Sequence, residues 1–181
     1  MKEYRWLLPF SQRIDARALE TALCMAKSRR AKIIAVSIIS RTGNGHGAEK
    51  RLEDIRRAKD FIELTGTLAA RYHVPIERHE VFTLDVSSCL PGLIHDLRAD
   101  AIVIAVCEGQ GRLLSTADMK RIVIAPPAPL VLIRLRETPP SRSRALALSQ
   151  FFSWLSRQRR DEEVEQMQHL STPLACHSMM T

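Results

Sequence analysis

Ala99-Asp-Ala-Ile-Val-Ile-Ala-Val-Cys-Glu-Gly-Gln-Gly-Arg112 leads, after a short helix-like piece, into Pro126-Pro-Ala-Pro-Leu-Val-Leu-Ile-Arg-Leu-Arg136. The two apolar, β-branched runs are each too short for a globular helix and are bounded by turn residues, so they read as buried strands of a parallel sheet. A glycine-bearing loop lies between them. In open α/β sheets ligands bind at the carboxyl ends of strands where the strand order reverses, which makes this loop the first place to look for function.

Outward from this stretch the same alternation continues. Arg5 to Phe10 is a short buried run containing Pro9, which suits a strand whose last residues leave the sheet. Between Ile14 and Arg30 the apolar residues Ile14, Ala18, Leu19, Ala22, Leu23, Met25 and Ala26 recur at helical spacing. Asp15 stands near the start of this helix, and Lys27, Arg29 and Arg30 complement its dipole at the end. Ile33 to Ile39 is a second buried strand, and residues 41–47, with three glycines, form a loop. Glu49 to Tyr72 places Leu52, Ile55, Ala58, Ile62, Leu64, Leu68 and Ala69 on one face of a long amphipathic helix that Val74-Pro75 stops. Ile76 to Phe82 alternates loosely, as an edge strand does. Asp85 can cap a helix running to about Arg98, with Pro91 and Gly92 weakening its middle or delaying its start. Ala101 to Val106 is the fourth strand, Arg112 to Arg121 a shortened helix, and Leu130 to Leu135 the fifth strand. A βαβαβαβαβ order with right-handed crossovers gives an α/β, doubly wound, five-stranded parallel sheet of Rossmann-like type.

Here the sequence resembles the universal stress protein family over about Tyr4 to Arg136. The resemblance rests on four pieces in order: Leu7-Leu8-Pro9-Phe10-Ser11 at the end of the first strand, the Ala18 to Leu23 pattern of the first helix, Ala99 to Val103 leading into the fourth strand, and Pro127-Ala128-Pro129 before Leu130 to Ile133. It implies strand order 3-2-1-4-5 and a stress association; with the residues read below it gives a stress-response or regulatory binding role without catalysis, and the edge of the fifth strand gives a homodimer. Family members that bind ATP carry an aspartate just after the first-strand proline, and a Gly-x-x-Gly loop followed nine residues later by Gly and then Ser or Thr. Glycines there let backbone N–H groups approach phosphate, and the following helix terminus favours the anion. This chain departs from both features. Ser11 holds the aspartate position, Ser115-Thr116 falls near the Gly-Ser, the loop is a few residues shorter, and its second phosphate glycine is missing. Glu108 would add negative charge beside a triphosphate. The resemblance therefore implies a ligand pocket of Pro9, Phe10, Ser11, Gly109, Gly111, Arg112, Ser115 and Thr116 in which binding of ATP or AMP is weak or lost. The plain alternative makes Gly109 and Gly111 ordinary turn residues after a strand.

Composition narrows the remaining classes. The 181 residues are 45% hydrophobic and only 5% aromatic, enough for one aliphatic-cored domain plus an appendage. The four cysteines, Cys24, Cys89, Cys107 and Cys176, form no Cys-x-x-Cys pair, and the six histidines have no ligand spacing, so neither a disulfide framework nor a metal site is expected. No Gly-x-Ser-x-Gly elbow or phosphate-binding Gly-Lys-Ser/Thr loop marks an enzyme. Charges at Lys2, Glu3 and Arg5 stand where a secretory signal needs an apolar core, and no apolar run approaches the roughly 18 residues of a membrane span. A cytoplasmic protein is expected.

The net charge of +7 resides before the tail: 22 Lys and Arg against 15 Asp and Glu up to Arg136, and 5 against 5 beyond. It predicts no specific nucleic acid; a solvated basic surface satisfies it. Residues 137–144 read as a linker. Residues 145–168 read as an amphipathic helix with an apolar stripe of Leu148, Phe151, Phe152, Trp154 and Leu155 among arginines. Such a helix can lie on a membrane surface, making the chain a membrane-associated or transporter-linked regulatory domain, or pack on its own domain, a second subunit or a protein partner. Residues 169–181 read as a disordered tail. In a monomer the fifth strand, Leu130, Val131, Leu132 and Ile133 among its residues, would be an exposed apolar edge that invites pairing.

Overall fold

The apolar runs form strands wherever burial on both faces needs them. The computed structural model describes residues 3–40 and 47–136. In chain order it contains β1 (Tyr4–Phe10), α1 (Ala16–Arg29), β2 (Ala31–Ser40), α2 (Gly47–Tyr72), β3 (Ile76–Thr83), α3 (Val86–Asp96), β4 (Ala101–Cys107), β5 (Gln110–Gly111), α4 (Thr116–Ile124) and β6 (Leu130–Leu135). The tail helix expected at 145–168, its linker and its final segment lie outside the described residues.

Five parallel strands follow the order β3-β2-β1-β4-β6, as the resemblance implied. The two-residue β5, which sequence reading missed, pairs antiparallel with the end of β4. Central strands β1, β2 and β4 are buried almost throughout, whereas edge strand β3 alternates half-buried and exposed positions. On one face Leu7, Ile34, Val36, Ile102 and Ile104 pack against Val86, Leu90, Met119 and Ile122 of α3 and α4. The opposite face carries α1 and α2, where Phe10 of β1 stacks on Phe61 of α2 with ring centroids 4.3 Å apart.

Three helix expectations need correction. Leu52, assigned to the core face of α2, is 57% exposed, while Phe61 and Thr65 are fully buried. The stripe that meets the sheet is Ala58, Phe61, Leu64, Thr65, Leu68 and Ala69, and Thr65 satisfies its hydroxyl by donating to the Phe61 carbonyl. The third helix starts at Val86 despite Pro91, because Asp85 accepts the Ser87 N–H as a cap, and it ends at Asp96 rather than Arg98. The last helix begins at Thr116, not Arg112, since Leu113 and Leu114 are drawn into the core and Ser115 supplies the cap.

At the amino edge of the sheet Glu77 of β3 binds Arg5 and Lys32. Both guanidinium nitrogens of Arg5 donate to its carboxylate at 3.2 and 2.8 Å, and Lys32 Nζ lies 2.7 Å away. Hydrogen bonding from Lys32, then from Arg5, holds the Glu77 carboxyl down to about 2 from its ordinary 4.5. Arg5 Nε also donates to the Leu97 carbonyl, tying the end of α3 to β1. At this same edge α2 and α3 close in paired backbone bonds of Schellman type, Val74 N–H to Ala69 O with His73 N–H to Ala70 O, and Ala99 N–H to Ile94 O with Arg98 N–H to His95 O.

Candidate functional site

The switch point of this sheet lies between β1 and β4, where the chain leaves β1 toward one flank and β4 opens the other. Pro9 determines how it opens. The Arg5 carbonyl accepts from the β4 side, at Asp100 N–H, so alternation turns the odd positions of β1 toward β4. Pairing runs only through Trp6 with Ala101 and Leu7 with Ile102. The next rung would need an N–H at Pro9, which proline lacks, and the two strands part there. On the other side Pro9 remains in register with Val36, so it does not leave the sheet as its sequence position suggested.

The loop after β4 enters the resulting crevice. Glu108 (φ 52) and Gly109 (φ 75) occupy the two centre positions between Cys107 and Gln110, the signature of a type I′ two-residue hairpin. The chain then runs back along β4, and Arg112 N–H donates to the Ala105 carbonyl at 3.0 Å. One residue on, the Leu113 carbonyl accepts from both Ser11 N–H (3.0 Å) and Gln12 N–H (3.3 Å) of the loop after β1. Leu113 and Leu114 are buried, and Leu114 joins the cluster around Ile104 and Met119.

Both glycines serve this path. A Cβ on Gly109 would meet open space, so glycine there answers to the positive φ alone. A Cβ on Gly111 would fall 2.5 Å from the Leu114 carbonyl oxygen, so glycine there lets the chain's own backbone cross. The Gly111 N–H donates to Thr116 Oγ1 at 3.4 Å. Ser115 caps α4, accepting from Asp118 N–H at 3.0 Å and donating to Asp118 Oδ2 at 2.6 Å. Arg112 Nε lies 3.9 Å from Asp15 Oδ2, and the other carboxylate oxygen of Asp15 caps α1 by accepting from Arg17 and Ala18 N–H.

All eight residues expected to line a pocket therefore gather at the carboxyl ends of β1 and β4. Their chemistry is spent inward: Phe10 on Phe61, the Ser11 amide on Leu113, the Gly111 amide on Thr116, and the Ser115 hydroxyl on a cap. Sequence reading missed Gln12, Leu113 and Leu114. The adjacent apolar pair just before a serine cap was the available signal. Cys107 is buried in β4. Among the described residues no group of three His, Cys, Asp or Glu side chains could hold a metal ion, and no helix is long and apolar enough to cross a membrane.

Of the expected pairing edge, Leu132 is 55% exposed, Leu130 and Val131 are half-buried, and Ile133 is buried. Among the described residues β6 pairs with β4 alone. The stripe Leu148, Phe151, Phe152, Trp154 and Leu155 lies outside the described residues.

The parallel α/β fold is shared with solved structures. A universal stress protein from Archaeoglobus fulgidus superposes with a TM-score of 0.57 at 18% identity, covering 74% of this chain and 95% of that one. This chain has the universal stress protein fold. The Archaeoglobus fulgidus universal stress protein in complex with dAMP matches with a TM-score of 0.56 at 18% identity over 74% of this chain and 99% of that one. A universal stress protein family protein from Arabidopsis thaliana with AMP bound matches at 0.54 and 15% identity, covering 77% and 97%. No family model matches the sequence, and no curated protein matches it.

Proposed function

We propose that this chain is a non-catalytic, regulatory or stress-response binding module in which the fold's nucleotide crevice is closed by its own loop, so that ATP binding is weak or lost. One observation carries this reading: the Ser11 and Gln12 amides at the end of β1 are both committed to the Leu113 carbonyl, inside the switch point where a ligand would need them. Two of the structural neighbours hold dAMP or AMP, so the fold itself accommodates a nucleoside monophosphate. Here the Gly111 amide is turned to Thr116, and exposed Glu108 at the hairpin tip repels a phosphate chain. Isothermal titration of the full chain with ATP, ADP and AMP in magnesium tests the reading. No heat and no thermal shift are expected; micromolar binding of ATP would overturn it.

The module works as a homodimer joined through β6. Leu132 on this edge strand is exposed, and Val123 and Ile124 of the preceding α4 are exposed as well, Ile124 by 82%. Among the described residues the outer side of β6 has no partner strand, and an apolar edge of this kind favours association with a second copy.

A further inference from the structure

The flank of the sheet opposite β6 ends in β3, which among the described residues pairs with β2 alone. The Ile33 N–H donates to the Pro75 carbonyl at 2.9 Å, so alternation turns the backbone groups of the odd positions of β3 toward β2. The N–H and C=O of Ile76, Arg78, Glu80 and Phe82 therefore face outward, a row that a further strand can pair. The side chains of these four residues share one face of the sheet. It is the α2 face, since a Cβ on Gly66 of α2 would stand 3.2 Å from Arg78 Nη1, whereas Val81 packs on the core cluster of the other side. Arg78 and Glu80 are exposed, Phe82 is 49% exposed, and Ile76 is half-buried.

Charges on an edge strand ordinarily keep other strands away. In β3 their order decides which strand is admitted. An antiparallel ladder sets outward-facing residues opposite outward-facing residues, so the two-fold axis relating β3 to a second copy of itself must pass through a residue. An axis at Arg78 opposes two guanidinium groups, and one at Glu80 opposes two carboxylates. An axis at Glu77 or Val81 sets a charge opposite an apolar side chain. Only an axis at His79 is complementary along the whole strand: Arg78 faces Glu80 of the second copy, Ile76 faces its Phe82, and symmetry repeats both pairs. Each pair exchanges two N–H···O=C bonds, and opposite charges or an aromatic and a β-branched side chain meet across it.

We propose that β3 joins a second copy of this chain edge to edge, antiparallel, about an axis at His79. The contact lies on the flank opposite the β6 dimer and does not rest on it. A ladder this short belongs to the small, weak class of interfaces and forms at higher concentration than the apolar β6 contact. Where both form, copies add end to end.

Oxidative cross-linking of the full chain tests the register. The background carries Cys24→Ser and Cys176→Ser, which remove an exposed thiol and the tail thiol, and Leu132→Lys, which keeps β6 from joining copies. In it His79→Cys sets two thiols on Cα positions about 4.5 Å apart, within disulfide reach, and a covalent dimer should form. Adding Glu80→Arg turns both charged pairs repulsive and should slow the cross-link about tenfold. Adding Arg78→Glu as well restores opposite charges and should bring the rate back. A second readout leaves His79 in place: mixed Arg78→Cys and Glu80→Cys chains should give the mixed dimer, identified by mass, in preference to either homodimer. A homodimer of Arg78→Cys or Glu80→Cys chains that forms faster than that of His79→Cys chains overturns the proposal. So does a charge swap that fails to restore the rate, or the lack of a covalent dimer at all three positions. With β6 blocked throughout, none of these outcomes bears on the β6 dimer.

Discussion

Gly109 and Gly111 look alike in the sequence and are held for different reasons. Gly109 adopts φ +75 in open space, so Gly109→Ala should cost about 1 kcal/mol of conformational strain and leave the loop path intact. At Gly111 a methyl group would meet the Leu114 carbonyl at 2.5 Å, and backbone must move; Gly111→Ala should cost about 1–3 kcal/mol. Urea midpoints of the two variants, measured side by side, check the order. Glu77 is the other residue whose environment makes a numerical claim. Its carboxyl is lowered in the folded chain to about 2, so its contribution is complete above its unfolded value of 4.5 and disappears as pH falls toward 2. Because the cluster is partly open to solvent, the discounted contribution is about 1 kcal/mol. Glu77→Gln should lower stability by about that amount at neutral pH, and the difference from wild type should close as the pH approaches 2.

Among the elements, the helices depend on side-chain caps that polar residues in the sequence made legible for α1 and α3 and concealed for α4. Asp15 accepts from two amides, Asp85 from Ser87, and Ser115 from Asp118. Ser115→Ala should cost about 1 kcal/mol and unwind the first turn of α4, seen as faster amide exchange at Asp118 and Met119. In α2 the element is held by Phe61, which no apolar-periodicity count favoured over Leu52. Phe61 is fully buried against Phe10, and Phe61→Ala should cost about 3–5 kcal/mol, whereas Leu52→Ala should be close to neutral; thermal unfolding separates the two. Nine residues apart, Leu52 and Phe61 stand on opposite faces of the helix, and packing against the sheet buries the Phe61 face.

For the molecule as a whole, the two ends of one sheet are put to different uses. At the carboxyl edge the Leu113 carbonyl engages the loop after β1, while at the amino edge Arg5 and Lys32 meet on Glu77. The remaining flank, β6, is apolar at Leu132. If that edge joins two copies, wild type should run as a dimer in light scattering with a thermal midpoint that rises with concentration. Leu132→Lys should yield a monomer whose midpoint no longer depends on concentration.

Taken by itself, the sequence determined the alternation of strands and helices, the buried character of β1, β2 and β4, and the gathering of Pro9 to Ser11 and Gly109 to Thr116 at one end of the sheet. Those features follow from local periodicity and from turn residues, which a short window of sequence contains. Tertiary structure alone decided what the gathered residues do. That Ser11 gives its amide to the Leu113 carbonyl, and that Arg5 and Lys32 meet on Glu77, are relations between segments tens of residues apart. Strand register and crossover packing set such relations, and neither leaves a mark in the local pattern.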